Sequence, residues 1–94
     1  MEILVSVFVI TYNSSRFVLE ALESIKNQTY KHIELIISDD CSTDSTVDLC
    51  KNWIEKNKER FVNSTIITVS ANTGVSANCN RAVTAAKGNW LKGI

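Results

Sequence analysis

Two adjacent carboxylates, Asp39 and Asp40, stand between an apolar run and a row of small hydroxyl residues in the segment ELIISDDCSTDST. A cap on the following helix would explain one acid, and Asp44 or Ser42 could also fill that role. Two neighbouring like charges repel and raise one pKa, an arrangement kept for a ligand more often than for stability. At a strand end, carboxylates can accept a nucleobase N–H or ribose hydroxyls, or hold a divalent cation. The residues alone leave these alternatives open.

Glycine-rich phosphate loops are absent from the sequence, since neither G-x-G-x-x-G nor G-x-x-x-x-G-K-[ST] occurs. The three glycines, Gly74, Gly88 and Gly93, are too scattered to form such a loop. Without a cradle or a metal, the acidic pair would repel a phosphate. The sequence therefore argues against a dinucleotide dehydrogenase and against a P-loop protein.

The composition is that of one small globular domain, with 94 residues, 45% hydrophobic and 21% charged. Ten basic and ten acidic residues cancel, so we expect no nucleic-acid partner. The apolar start MEILVSVFVI is too short to span a bilayer and lacks the positive region of a signal peptide, which predicts a cytoplasmic protein. Its three cysteines form no C-x-x-C pair and are expected to be reduced thiols: Cys41, Cys50 and Cys79.

Strands and helices are predicted to alternate along the chain. Short apolar, β-branched runs at 3–10, 33–38 and 65–70 are typical of buried parallel strands, and NWLKGI begins a fourth. Apolar residues at helical spacing predict a helix over 15–28, capped by Asn13 or Ser14, a second after DDCSTDS and a third over 76–86. This order predicts an α/β, Rossmann-like, mainly parallel sheet of about four strands, with helices on both faces.

Three loops are expected to gather beyond the carboxyl ends of these strands, where open α/β sheets bind their ligands. They are TYNSS after the first strand, SDDCSTDS after the second and SANTGVSAN after the third. These loops hold most of the polar residues that require a role.

The segments VSVFVITYN, QTY, ELIISDDCSTDST and NTGVSANCNRAVTAAKGNW follow one another over nearly the whole chain. In order and spacing they resemble the amino-terminal blocks of the family 2 nucleotide-sugar glycosyltransferases, which have the GT-A fold. The family pattern runs V-S-V-I-I-P-T-Y-N, then D-D-G-S-x-D, then N-x-G-x-S-x-A-x-N leading to A-x-G. The resemblance implies that residues 1–94 are the nucleotide-sugar-binding amino-terminal part of such an enzyme.

The resemblance also implies which residues bind the substrate. Thr11 and Tyr12 would line the nucleobase pocket, with the Tyr12 ring against the base, and Asn13 belongs to the same block. Asp40, with Asp39 beside it, would accept from the base N–H, most commonly that of uracil. The wall beside the ribose and diphosphate would be shaped by Asn72, Gly74 and Asn80.

Simpler roles are open for some of these residues. The Tyr12 ring could pack at the sheet edge, and Asn80 could bond a loop backbone. Asp44 is expected to close its loop by bonding backbone as a cap.

Three positions depart from the family pattern. Ile10 replaces a common proline, and Cys41 replaces the glycine after the acidic pair, which puts a loop conformation with φ > 0 in doubt. Cys79 stands where many members have arginine, and Arg81 is the nearby residue that could serve the same space.

In this family the metal-binding D-x-D motif follows the fourth strand, and the chain stops at Ile94. We therefore expect a fragment with no catalytic residue or metal ligand of its own and no transferase activity by itself. The resemblance implies that the intact enzyme transfers a sugar from a UDP-sugar donor, with inversion, to the hydroxyl of an acceptor sugar or lipid-linked glycan. Mg or Mn would neutralise the diphosphate. A role in cell-envelope polysaccharide at the cytoplasmic face of the membrane would fit.

Two other classes are weighed against this interpretation. One is a receiver-like interaction domain, whose acidic pair binds Mg, but the third strand here ends in Ser-Ala-Asn without the further Asp that receivers use. The other is a nucleotide-binding protein without catalysis. Without the second half of the fold to cover them, the four strands should expose an edge and apolar surface, which predicts that the fragment self-associates.

Overall fold

The structure is a computed structural model that describes residues 2–94. Its strands are β1 (Val5–Thr11), β2 (Ile33–Asp39), β3 (Asn63–Thr68) and β4 (Trp90–Gly93). Its helices are α1 (Val18–Lys26), α2 (Thr46–Asn57) and α3 (Val75–Ala85), with a short 3₁₀ helix at Lys58–Arg60. The strands form one parallel sheet in the order β3-β2-β1-β4. The predicted α/β fold with a four-stranded parallel sheet is confirmed.

The sheet is sandwiched between helices, since β2, one of its two inner strands, is buried on both faces. All seven residues of β2 are buried, and side chains alternate between the two faces. Leu35 and Ile37 face the side where α1 and α2 pack, in a cluster that includes Leu22 and Trp53. The opposite face is covered by α3, whose inward residues are small or polar. Each large side chain buried here stabilises the fold by about 1.5–3 kcal/mol.

The start of α1, its N-cap and the bounds of β3 differ from the sequence expectations. Helix α1 begins at Val18, later than predicted, and Phe17 occupies its N-cap position without a side-chain hydrogen bond. The predicted capping by Asn13 or Ser14 is therefore wrong, because the Asn13 side chain bonds another loop instead. Strand β3 spans Asn63–Thr68, two residues earlier at each end than the predicted 65–70.

The start of β4 is held against β1 by a buried polar cluster and a glycine. The Gly88 backbone N–H donates to the Ser6 hydroxyl at 2.8 Å, and that hydroxyl donates to Glu34 Oε1 at 2.7 Å. A β-carbon on Gly88 would lie 2.5 Å from Ser6 Oγ and 2.8 Å from the Leu4 carbonyl oxygen. Residue 88 must therefore be glycine because of close packing.

Candidate functional site

The three loops expected at the carboxyl end of the sheet do meet there. Thr11 ends β1 opposite Asp39, the last residue of β2, in the parallel register. The backbone N–H of Asp40 donates to the Thr11 carbonyl oxygen at 3.0 Å, which extends the pairing by one residue. The loop before α3 reaches back to Asp40 through Thr73 and Gly74. The site is thus formed by the paired ends of β1 and β2 together with the loop that precedes α3.

Asp39 is an internal tie between two of these loops. It is 1% exposed, and its Oδ1 accepts from the hydroxyls of Thr11 and Ser42, each at 2.6 Å. Its Oδ2 accepts from the Ser42 backbone N–H at 2.8 Å. These bonds join the end of β1 to the turn after β2, so Asp39 acts on the site by holding its neighbours in place.

Asp40 is the second buried carboxylate, and its partners come from the opposite direction. It accepts from the Thr73 hydroxyl at 2.6 Å, from the Gly74 backbone N–H at 2.8 Å and from Arg81 Nη2 at 2.9 Å. These donors, the Thr73 hydroxyl foremost, lower the pKa of Asp40 to about 2 against the opposing effect of desolvation. Asp40 is therefore ionised at neutral pH, and the rise in pKa expected for one of the two acids does not occur at Asp40.

Arg81 contributes the one positive charge in contact with this carboxylate pair among residues 2–94. Besides Asp40, its Nη1 donates to the Thr73 hydroxyl at 2.9 Å. Its Nε is buried without a hydrogen-bond partner in that part of the chain. The structure thus places Arg81, which follows the Cys79 position by two residues, in direct contact with Asp40, the second acid of the pair.

Asn13 and Asp44 organise the turn before α2. Asn13 has φ 48, a left-handed conformation that asparagine tolerates, and its Oδ1 accepts from the Thr43 backbone N–H at 2.8 Å. Asp44 accepts from the backbone N–H groups of Thr46 at 2.9 Å and Ser15 at 3.2 Å. Bonding to the Thr46 hydroxyl and backbone lowers the pKa of Asp44 to about 2. Asp44 bonds backbone as the sequence predicted, but the N-cap residue of α2 is Ser45, one position later, so the predicted role as a helix cap is wrong.

Cys41 adopts the left-handed backbone conformation, with φ > 0, that was expected of a glycine at this position. Its φ is 65, in the left-handed region that glycine usually occupies. The turn therefore keeps the shape expected of the family with a non-glycine residue.

The remaining predicted residues line the outer part of the site. Tyr12 is 50% exposed at the end of β1, so its ring is available to a ligand. Asn72 is exposed, and its Nδ2 donates to the Asp40 carbonyl oxygen at 3.4 Å. Gly74 has φ 96, a backbone conformation that non-glycine residues rarely adopt. Asn80 instead lines an open groove of about 360 Å³ between α3 and β3, with Ile67, Arg81, Thr84 and Ala85.

Asn78 was not expected at the site and is its buried anchor on α3. It is 3% exposed, and its Oδ1 accepts from the Ser38 hydroxyl at 2.6 Å. Its Nδ2 donates to the Thr11 carbonyl oxygen at 3.3 Å. The sequence held one signal for this role: Asn78 precedes Ala82 by four residues and so lies on the same helix face, which is otherwise lined by small residues. Asn78 thus ties α3 to the ends of β1 and β2.

The chain is similar in sequence to bacterial glycosyltransferases. It is 34% identical over 88 residues to the putative teichuronic acid biosynthesis glycosyltransferase TuaG of Bacillus subtilis, covering 94% of this chain and 33% of that protein. It is 39% identical over 90 residues to the UDP-Glc:alpha-D-GlcNAc-diphosphoundecaprenol beta-1,3-glucosyltransferase WfaP of Escherichia coli, again covering 94% and 33%. The chain therefore spans about a third of the length of these relatives.

Solved structures of glycosyltransferases share the fold. S. aureus TarS in complex with UDP-GlcNAc superposes with a TM-score of 0.82 at 30% identity, covering 96% of this chain and 25% of that one. The mannosyltransferase PcManGT from Pyrobaculum calidifontis, in complex with GDP-Man and Mn²⁺, gives a TM-score of 0.84 at 28% identity, covering 93% and 25%. These neighbours confirm the GT-A assignment of the fold. The profile of Glycosyl transferase family 2 matches residues 6–92, and the chain belongs to that family.

Proposed function

We propose that these residues form the nucleotide-binding part of a glycosyltransferase that transfers a sugar, with inversion, from a UDP-sugar donor to an acceptor hydroxyl. The observation that carries the proposal is the position of Asp40. It is an ionised carboxylate at the carboxyl end of the central strand, bonded to the loop before α3. The Asp40 backbone N–H donates to the carbonyl oxygen of Thr11, and the half-exposed Tyr12 is the next residue in the chain. The Tyr12 backbone therefore lies beside Asp40.

The chemistry of this corner favours a base that carries an N–H group. A carboxylate accepts hydrogen bonds and donates none when ionised, so it complements the imide N–H of uracil. The Tyr12 ring offers an aromatic face for stacking on the base, worth about 0.5–1.5 kcal/mol beyond its buried area. The UDP-GlcNAc bound in the TarS complex and the UDP-Glc in the name of WfaP support a uridine nucleotide as donor.

The proposed enzyme would use a divalent cation, Mg or Mn, but the described residues contain no site for it. No group of three His, Cys, Asp or Glu side chains in residues 2–94 is placed to hold a metal. Asp39 and Asp40 use their oxygens on protein donors, which leaves them poor ligands. A cation in the whole enzyme would supply charge neutralisation for the leaving diphosphate, and the Mn²⁺ bound by PcManGT supports its presence there.

The acceptor and the cellular setting belong to the whole enzyme. The diphosphoundecaprenol acceptor in the name of WfaP and the teichuronic acid in that of TuaG support a lipid-linked or polysaccharide acceptor of the cell envelope. We place the enzyme in the cytoplasm, at the membrane face where such acceptors are met. Within residues 2–94, every helix is too short or too polar to cross a bilayer.

A titration of this chain with UDP in the presence of Mn²⁺ tests the proposal. We expect calorimetry to show saturable binding of UDP, and we expect Asp40→Ala to abolish this binding. Asp48→Ala is the matched control, because Asp48 is an exposed carboxylate on α2 outside the site. Binding that survives in Asp40→Ala, or no UDP binding even by the full-length protein, would refute the proposal.

Tyr12 provides a second measurement at the same site. Tyr12→Phe keeps the ring and should bind UDP as the unaltered chain does, whereas Tyr12→Ala should bind it more weakly. We further expect UDP binding without sugar transfer from residues 1–94 alone, which a transfer assay with radiolabelled donor would check.

Self-association through the β4 edge is a separate part of the proposal. Strand β4 pairs with β1 on one side only. Its side chains are exposed, with Trp90 at 64% and Leu91 at 48%. Unpaired edges with apolar residues favour pairing with another copy. Sedimentation velocity should show concentration-dependent dimers that Leu91→Lys reduces, and a monomer at all concentrations would contradict this.

A further inference from the structure

The hydrogen-bonding capacity of Asp40 is full in this structure. Its Oδ1 accepts from the Thr73 hydroxyl at 2.6 Å, the Thr73 backbone N–H at 2.9 Å and Arg81 Nη2 at 2.9 Å. Its Oδ2 accepts from the Gly74 N–H at 2.8 Å and shares the Thr73 N–H at 3.0 Å. A carboxylate has about four lone-pair positions, so a further donor needs one of these groups to leave.

The backbone donors are held in place by the helix that follows them. The Gly74 carbonyl oxygen accepts from the Asn78 N–H at 3.0 Å, which anchors the loop to the first turn of α3. Arg81 is also a poor candidate to leave. Its departure would leave the ionised Asp40, only 3% exposed, without its charged partner, and breaking such a pair is costly.

The Thr73 hydroxyl is the donor that can be exchanged. Thr73 is solvent-exposed while Asp40 is buried, so Thr73 is the outer member of the pair. Rotation about its χ1 would turn the hydroxyl from Asp40 to water without moving the backbone. The same rotation would release Arg81 Nη1, which donates to this hydroxyl at 2.9 Å and is free to bond water instead, because Thr73 is exposed. A nucleobase N–H would replace it with another neutral donor, and the ion pair with Arg81 would stay intact.

We propose that the Thr73 hydroxyl occupies the acceptor position of Asp40 that the nucleobase N–H takes, so that Thr73 competes with the nucleotide and lowers its affinity. This inference rests on the proposed function, because it assumes that Asp40 accepts from the base. It identifies Thr73 as a residue that sets affinity for the donor without itself needing to touch the sugar.

Thr73→Val provides the test, since valine has the same shape and keeps the backbone N–H but has no hydroxyl. By calorimetry with UDP and Mn²⁺, we expect this variant to bind roughly 13- to 160-fold more tightly, the range of one net hydrogen bond to a charged acceptor. Thr73→Ser keeps the donor and should bind as the unaltered chain does. Thr73→Ala removes the hydroxyl by a different change and should also bind more tightly, with folding of each variant checked by circular dichroism.

A nucleotide without the donor separates competition from a general change in the loop. UDP methylated at N3 of uracil has no imide N–H, so its affinity should not rise in Thr73→Val. Equal or weaker UDP binding by Thr73→Val and Thr73→Ala, or an equal gain for both nucleotides, would overturn the inference. If UDP binding survives in Asp40→Ala, the proposed function fails as well. If binding is lost there but Thr73→Val shows no gain, this inference alone fails.

Discussion

Replacement of Cys41 by glycine should stabilise the protein, because Cys41 sits at φ 65. In that region the β-carbon of an L-residue approaches the following carbonyl oxygen, at a cost of about 1–2 kcal/mol. The turn cannot relax out of this conformation, since bonds fix it on both sides. The Asp40 N–H donates to the Thr11 carbonyl at 3.0 Å, and the Ser42 N–H donates to Asp39 Oδ2 at 2.8 Å.

Glycine would remove this strain but lose more backbone freedom on folding, which costs about 0.5–1 kcal/mol. The midpoints of these two ranges predict a gain of about 0.75 kcal/mol in the free energy of unfolding. For a domain of this size, that gain corresponds to a rise in Tm of about 3–6 °C.

Urea unfolding under reducing conditions, followed by tryptophan fluorescence, measures the effect, because the buried Trp53 becomes exposed on unfolding whereas Trp90 is already 64% exposed. Cys41→Ala is the control, because alanine removes the thiol but keeps the β-carbon that causes the strain. We expect Cys41→Gly to be more stable than both Cys41→Ala and the unaltered chain. Equal stability of the glycine and alanine variants would show that the strain argument is wrong.

Three further outcomes follow from the same contacts. Gly88→Ala should lower the free energy of unfolding by about 1–3 kcal/mol in urea, because its β-carbon would lie 2.5 Å from Ser6 Oγ, and an unchanged midpoint would contradict the packing. Asn78→Leu should cost about 1–3 kcal/mol by leaving the buried Ser38 hydroxyl unpaired, whereas the exposed control Asn80→Leu should stay within about 0.5 kcal/mol. The pKa of Asp44 is about 2 when folded, below its ordinary value of 3.8, so its stabilisation is present above about pH 4 and lost as pH falls toward 2. Asp44→Asn should therefore flatten the fall of the urea midpoint between pH 4 and 2, and an unchanged slope would refute that assignment.

The fold could be predicted because its signals are local. The apolar run at 33–38 is buried on both sides as the central strand β2, and the alternating order of strands and helices permits few topologies. Details at helix ends were harder, since Asn13 could bond either its own helix or a distant loop. In the structure the Asn13 side chain accepts from the Thr43 backbone N–H and does not cap α1. Only the tertiary packing brings those two residues together.

The sequence by itself determined the order of the elements, the loops that carry the polar residues and the presence of an acid pair at the end of β2. Only the tertiary structure decided what each acid does. Asp39 turns to Thr11 and Ser42, while Asp40 turns to Thr73 and to Arg81, 41 residues away along the chain. The physical reason is that strand and helix patterns depend on neighbours in sequence, whereas the partners of a buried carboxylate depend on which segments the sheet register and α3 bring within hydrogen-bonding distance.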